Sequence, residues 1–222
     1  MKQTARTETP GTITDVADIT DEFGPFQDAD AIHGVTFDGQ RLWVATGTRL
    51  LAINPADHQI THTLNCICDA GTAFDGTHLY QIAGDRINKI DPADGSIVSS
   101  IPAPGHGNDS GLAWAEGSLW VGQYRDRNIV QIDPETGAVL RKITSDRFVT
   151  GVTWVDHELW HGTWEAEESD IRQIDPDTGA VLQRINMPEG TGVSGLESNG
   201  TDLFYCGGGG SGKVRAVRRP ES

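Results

Sequence analysis

Short apolar runs recur along the chain, each cut by a turn signal. Gly34-Val35-Thr36-Phe37 leads through Asp38-Gly39 to Leu42-Trp43-Val44. The same order returns as Gly71-Thr72-Ala73-Phe74 with Leu79-Tyr80, Gly111-Leu112-Ala113-Trp114 with Leu119-Trp120, Gly151-Val152-Thr153-Trp154 with Leu159-Trp160, and Gly195-Leu196-Glu197-Ser198 with Leu203-Phe204. Runs of this length, rich in β-branched and aromatic residues and joined by Asp-Gly, Glu-Gly or Asn-Gly, predict β-hairpins. A second phrase follows four of the hairpins: Ile53-Asn54-Pro55, Ile90-Asp91-Pro92, Ile132-Asp133-Pro134 and Ile174-Asp175-Pro176, with the prolines 37, 42 and 42 residues apart. Proline sets φ for a turn, and the glycine that closes three of the four phrases takes a positive φ. Each phrase therefore joins two further strands.

Four short strands in about 40 residues make one propeller blade. The pattern predicts an all-β, five-bladed β-propeller of four-stranded antiparallel blades, spanning residues 33–68, 69–105, 106–147, 148–190 and 191–218 of a single domain. The fifth copy ends before its outer strand. The strand-like segment 12–19 is expected to complete it, closing the ring and covering its open edges. No amphipathic helical period interrupts the repeat.

The glycine at 34, 71, 111, 151 and 195 opens each first strand, where five backbones converge on an axis. The preceding residue is expected to line the axial channel: His33, Ala70, Ser110, Thr150 and Ser194. The second strands are expected to add Val44, Gln81, Val121, His161 and Tyr205. Trp43, Tyr80, Trp120, Trp160 and Phe204 repeat at equivalent positions and read as inter-blade core. Turns on one face are short and repetitive. Those on the other are longer and irregular, and variable loops on a rigid frame are where function concentrates. That second face carries the His106 to Asp109 segment, Tyr124 with Arg125, and Trp164 with Glu165.

Asp plus Glu number 32 against 17 Lys plus Arg, a formal charge of −15 over 222 residues. This excess repels phosphate backbones and anionic membranes, so neither nucleic acid nor membrane is an expected partner. Cys66, Cys68 and Cys206 are too few, and odd in number, for a disulfide framework. Residues 1–10 lack the apolar core of a secretory signal. Together these features predict a cytoplasmic, monomeric protein.

Histidine transfers protons and binds metals near neutral pH. His33 and His161, from blades one and four, are expected to converge as acid–base groups with Glu165. The opposing reading is two hydrogen-bonded channel histidines and a solvated glutamate loop. Gln81, Ser110, Tyr124, Trp164, Ser194 and Tyr205 are the expected substrate contacts. His33, His106 and Asp109 form a candidate site for one divalent ion, Ca²⁺, Mg²⁺ or Zn²⁺. Cys206 with His161 would form a thiol–base pair only if they touch.

Residues 12–218, through Leu42-Trp43-Val44-Ala45-Thr46-Gly47, Leu79-Tyr80-Gln81 and the repeated Ile-Asp-Pro-x-Thr-Gly phrase, resemble the plant- and bacterial-type glutaminyl cyclotransferases. More loosely they resemble streptogramin-lyase-like propellers. The resemblance implies the five-bladed fold and cyclotransferase chemistry. The family's catalytic glutamate in blade one is Val44 here, its second-blade glutamate is Ala70, a second-blade tryptophan is Gly84, and its Asn-Glu-Leu-Glu motif is Ser110-Gly111-Leu112-Ala113. Only Tyr124 and Trp164 match its aromatic positions in kind. The combined expectation is a propeller that takes a small polar molecule in its axial pocket as a lyase, cyclotransferase or hydrolase, or a non-catalytic binding scaffold.

Overall fold

The computed structural model describes residues 13–220. Two strands come first, β1 (Ile13–Val16) and β2 (Ile19–Phe23). Blade one follows as β3 (Gly34–Phe37), β4 (Leu42–Ala45), β5 (Gly47–Ile53) and β6 (Ile60–Cys68). Blade two is β7 (Thr72–Phe74), β8 (Leu79–Ala83), β9 (Arg86–Ile90) and β10 (Ile97–Pro102). Blade three is β11 (Asp109–Ala115), β12 (Ser118–Gln123), β13 (Asn128–Ile132) and β14 (Val139–Thr144). Blade four is β15 (Val149–Val155), β16 (Glu158–Thr163), β17 (Asp170–Ile174) and β18 (Val181–Asn186). Blade five is β19 (Gly195–Ser198), β20 (Leu203–Gly207) and β21 (Val214–Arg218). Within each blade the strands pair antiparallel in chain order.

The fold is the expected five-bladed propeller, closed by an N-terminal strand that completes the last blade. The closing strand is β2, which pairs antiparallel with β21. It therefore starts at Ile19, where the expected segment 12–19 ends. Within that segment, β1 adds in parallel to β18 as a fifth strand on blade four. The chain crosses from one blade to the next between Val16 and Ile19, so the N-terminal segment ties both blades flanking the seam.

The Asp-Pro turns owe their shape to the aspartate. Asp133 accepts from the backbone N–H of Glu135 and Thr136 and from the Thr136 hydroxyl, at 3.0, 2.8 and 2.8 Å. Gly137 then takes φ 75° and donates to the Asp133 carbonyl at 2.9 Å. The repeat has written a side-chain-capped turn into the sequence, which fixes the register of the outer hairpin.

At the axis the five glycines form a closed cycle. A Cβ on Gly34 would lie closer than 3.0 Å to the backbone around Ala70, one on Gly71 to Leu112, on Gly111 to Thr150, on Gly151 to Leu196, and on Gly195 to Gly34. Each inner strand thus packs on the main chain of the next, and the last packs on the first. Between blades lie apolar clusters built from Trp43, Tyr80, Trp120 and Trp160, all buried.

Blade five departs from the repeat by one residue. Thr36 pairs with Trp43 and Thr153 with Trp160, but Glu197 pairs with Tyr205. Its first turn is one residue longer, so Tyr205, not Phe204, is the equivalent of the inter-blade aromatics. Tyr205 packs with Phe23 and Phe37 at ring distances of 6.0 and 5.6 Å. Phe204 falls on the opposite side and packs against Trp160 at 5.0 Å. A one-residue slip exchanges the faces of a strand.

Glu197 occupies the matching position of the inner strand. It accepts from the hydroxyls of Thr36 and Thr153, at 2.7 and 2.5 Å, and so joins blades one, four and five at the closure seam. The Ser198 amide adds a third donor at 2.9 Å. Burial pushes the carboxyl up to about 7, against the pull of these donors.

Two outcomes test this frame. Gly151→Ala should lower unfolding free energy by at least ~2 kcal/mol, as overpacking against rigid backbone does, read by urea denaturation. Because Glu197 holds its proton more tightly when folded, its contribution is complete at low pH and is lost as pH rises from its ordinary value of 4.5 to about 7. Subtracting the stability of Glu197→Gln from that of the native chain, across this window, should give a difference that falls by on the order of 3 kcal/mol. A pH-independent difference would remove the assignment.

Candidate functional site

A cavity of about 530 Å³ opens at the axis on the face of the irregular loops. Every blade contributes to its wall. His33, Ala70, Ser110, Thr150 and Ser194, the residues preceding the axial glycines, all line it. One position earlier, Ile32, Asp69, Asp109 and Val193 line it too. Tyr124 and Trp164 form a rim, and Gly208–Ser211 of blade five covers one side.

The inner strands of blades three and four carry a bulge where they enter the cavity. The register shifts by one residue between Asp109 and Leu112, and again between Val149 and Val152. A bulge resets the side-chain alternation. Asp109 and Ser110 can therefore both reach the same space.

Asp109 is only 8% exposed. One oxygen accepts from the Gly105 amide at 2.9 Å, and the other has a long contact of 3.5 Å from the Gln123 side chain. Burial is the largest influence on this carboxyl and raises it above the ordinary aspartate range, outweighing those two donors. Asp69 is more exposed, and accepts from the Gly84 amide at 3.1 Å.

The serines act partly as seams. Ser110 donates to the Val149 carbonyl at 2.8 Å and Ser194 to the Ile32 carbonyl at 2.6 Å, each reaching a neighbouring blade. Ser194 also accepts from the Gly209 amide at 2.9 Å, which anchors the glycine-rich Gly208–Ser211 loop. That loop is further held by the Ile32 amide donating to the Gly209 carbonyl at 2.9 Å. Thr150, at the equivalent place in blade four, is 7% exposed and its hydroxyl has no partner in the structure.

Tyr124 stacks on Phe148 with 4.8 Å between rings, and the Arg127 guanidinium lies 4.5 Å over Phe148. Arg127 in turn pairs with Glu165 at 2.6 Å. Arg147, itself buried, donates to the carbonyls of Glu165 and Glu168 at 3.1 and 3.0 Å. These bonds hold the tight loop, with positive φ at Ala166 and Glu167, that carries Trp164 to the rim. Glu165 is therefore spent on arginines behind the wall, away from the lining.

The two histidines do not converge. His33 faces the cavity, whereas His161 is fully buried on β16 and absent from its lining. A second-strand side chain is screened from the axis by the first strand. Burial, with the Arg172 charge adding to it, pulls His161 down to about 4. Its Nδ1 lies 3.2 Å from the Gly162 carbonyl. Gln81 is screened in the same way, bonded to Thr72 and to the carbonyls of Ala70, Gly71 and Ile82. Tyr205 belongs to the inter-blade core described above. Cys206 packs between blades four and five, apart from His161, and burial raises its thiol.

His106 sits exposed on the loop before β11, at φ 50°, outside the lining. Among the described residues no three His, Cys, Asp or Glu side chains gather closely enough to hold an ion. His33, His106 and Asp109 thus do not fit the expected divalent site. Asp69 is the residue that the sequence reading missed. Aligning the position two before each axial glycine gives Ile32, Asp69, Asp109, Val149 and Val193, and two acids among three aliphatics would have marked it.

No family model and no curated protein matches the chain. Among solved structures it is similar to the glutaminyl cyclase of Myxococcus xanthus, with a TM-score of 0.77 and 16% identity, over 93% of this chain and 97% of that one. A chain of a mitotic checkpoint complex matches with a TM-score of 0.52 and 14% identity, over 86% of this chain and 64% of the other. At such identities the likeness is one of architecture: the chain has the five-bladed propeller fold that glutaminyl cyclase also has.

Proposed function

We propose that the chain binds a small polar molecule in the axial cavity and performs acid–base chemistry on it, with Asp109 as the proton-transferring group. The observation that carries this reading is the Asp109 carboxyl, more than nine-tenths buried, raised by that burial and open to a cavity of ligand size. A carboxyl raised toward working pH can both give and take a proton. His33 lines the same space from blade one, and Tyr124 and Trp164 supply flat walls.

The fold likeness makes intramolecular cyclotransfer the first reaction to examine. In that reaction an N-terminal amine attacks the side-chain amide carbon of a glutaminyl residue. The amine's proton passes to the Asp109 carboxylate, the C–N bond of the amide breaks, and the departing nitrogen takes that proton and leaves as ammonia. Atoms balance without a metal or redox partner. The scaffold alternative rests on exposed apolar residues such as Val98, Val139 and Leu140, at 55, 56 and 57%. They lie on the outer strands, remote from the cavity mouth, and bear on a different surface.

Asp109→Asn keeps an acceptor for the Gly105 amide and removes the proton-transfer step. Turnover of a peptide with N-terminal glutamine should fall by roughly 10²-fold or more, while the thermal midpoint holds or rises. Unchanged turnover would remove Asp109 from the chemistry. A native chain that neither cyclises the peptide nor shifts its midpoint with small amines, amides or lactones would overturn the reading as a whole.

A further inference from the structure

The axial cavity has a one-sided chemistry. Asp69 and Asp109 come from adjacent blades two and three, and the matching positions of blades one and five are the aliphatic Ile32 and Val193. No lysine or arginine is among its lining residues. The Arg127 guanidinium, near the rim, is turned onto Phe148 and Glu165. Trp164, from blade four, lies over Gly192, where a Cβ would meet the indole at 3.6 Å. Tyr124 lines the cavity from blade three.

We infer that this cavity selects a small organic ammonium ion, a protonated amine carried on an apolar body, over neutral and anionic molecules of the same shape. The inference rests on the reading of the cavity as a ligand site and names the ligand class. Two carboxylates supply acceptors for the three N–H donors of an ammonium group. The faces of Trp164 and Tyr124 attract a cation through the ring quadrupole, or cover its apolar body. One polar atom inside lacks a strong partner of its own: Asp109 has one oxygen with only the 3.5 Å contact from Gln123. Such an acceptor is satisfied when a donor-bearing ligand arrives. An anion would find two like charges and no compensating base. The formal charge of −15 adds a long-range field of the same sign.

A protonated ligand also interacts with the titration of Asp109. Holding a cation beside this carboxyl favours its ionised form, so binding expels a proton wherever Asp109 is still protonated. A neutral ligand of equal size does not do so.

Calorimetric titration of the full chain near neutral pH with benzylamine, benzyl alcohol and benzoate separates the possibilities. Benzylamine should bind at least ~10-fold more tightly than benzyl alcohol, and benzoate should give no heat. Asp69→Asn should shrink the preference for the amine, and added salt should do the same. Equal affinity for amine and alcohol, or a preference for benzoate, would overturn the ammonium selectivity while leaving a ligand cavity in place. Absence of heat from all three would overturn both the selectivity and the reading on which it rests.

Discussion

Five inner strands must approach one axis more closely than any side chain permits. The glycines at 34, 71, 111, 151 and 195 meet this constraint, each lying against the backbone of the next inner strand round the ring. Their contact is main chain on main chain, so it is rigid and identical in kind at all five places. Outward from that ring, burial between blades falls to the repeating aromatics and aliphatics. Toward one face the same strands must splay apart, because a strand that leaves such a contact twists away from its neighbour. The axial cavity is the space opened by that splay. Its lining positions, one and two residues before each glycine, follow from the glycine contact rather than from any requirement of their own.

That geometry separates positions under packing constraint from positions free to vary. Where the inner strands touch, the chain repeats. Where they splay, it reads His33, Ala70, Ser110, Thr150 and Ser194, and then Ile32, Asp69, Asp109, Val149 and Val193. Two of the serines still serve the frame, bonding to a neighbouring blade. Asp69 and Asp109 carry no comparable inter-blade bond, and Asp109 bears the desolvation cost of its place. A nearly symmetric frame thereby holds an asymmetric site, acidic toward blades two and three and aromatic toward blade four.

The repeat made the architecture legible, because turn chemistry and strand period agree in every blade. Tyr124, Trp164, His33 and Asp109 were legible as candidates, since loop length and broken repetition both point to their face. The failures share a physical origin. His161 and Gln81 break the repeat, yet the first strand stands between them and the axis, and repetition alone does not report depth. Tyr205 was misplaced because one additional residue in the Asn199–Asp202 turn exchanges the two sides of β20, and the Leu-aromatic pair in the sequence hides that slip. Closure by an N-terminal strand was legible but its bounds were not, because Thr12–Ile19 and Ile19–Phe23 are both short mixtures of β-branched and acidic residues. Only pairing shows that the first part adds to blade four and the second completes blade five.

His161 and Glu197 show how one environment directs two ionisable groups to the same end. Burial disfavours charge in both, lowering the imidazole to about 4 and raising the carboxyl to about 7. Near neutral pH His161 is uncharged between blades, with Arg172 opposing any proton it might take. Glu197 is poised between its two forms and satisfied by three donors from three inner-strand segments. The two groups act on stability in opposite pH directions. The histidine's contribution is lost on acidification, as the unfolded chain takes up the proton, and the carboxyl's is lost as pH rises. Asp109 has the same sign as Glu197 but faces open space, so a ligand can relieve its cost where no neighbouring blade does. That difference in surroundings, more than the shift itself, marks Asp109 as the group available for chemistry and Glu197 as one committed to holding the ring closed.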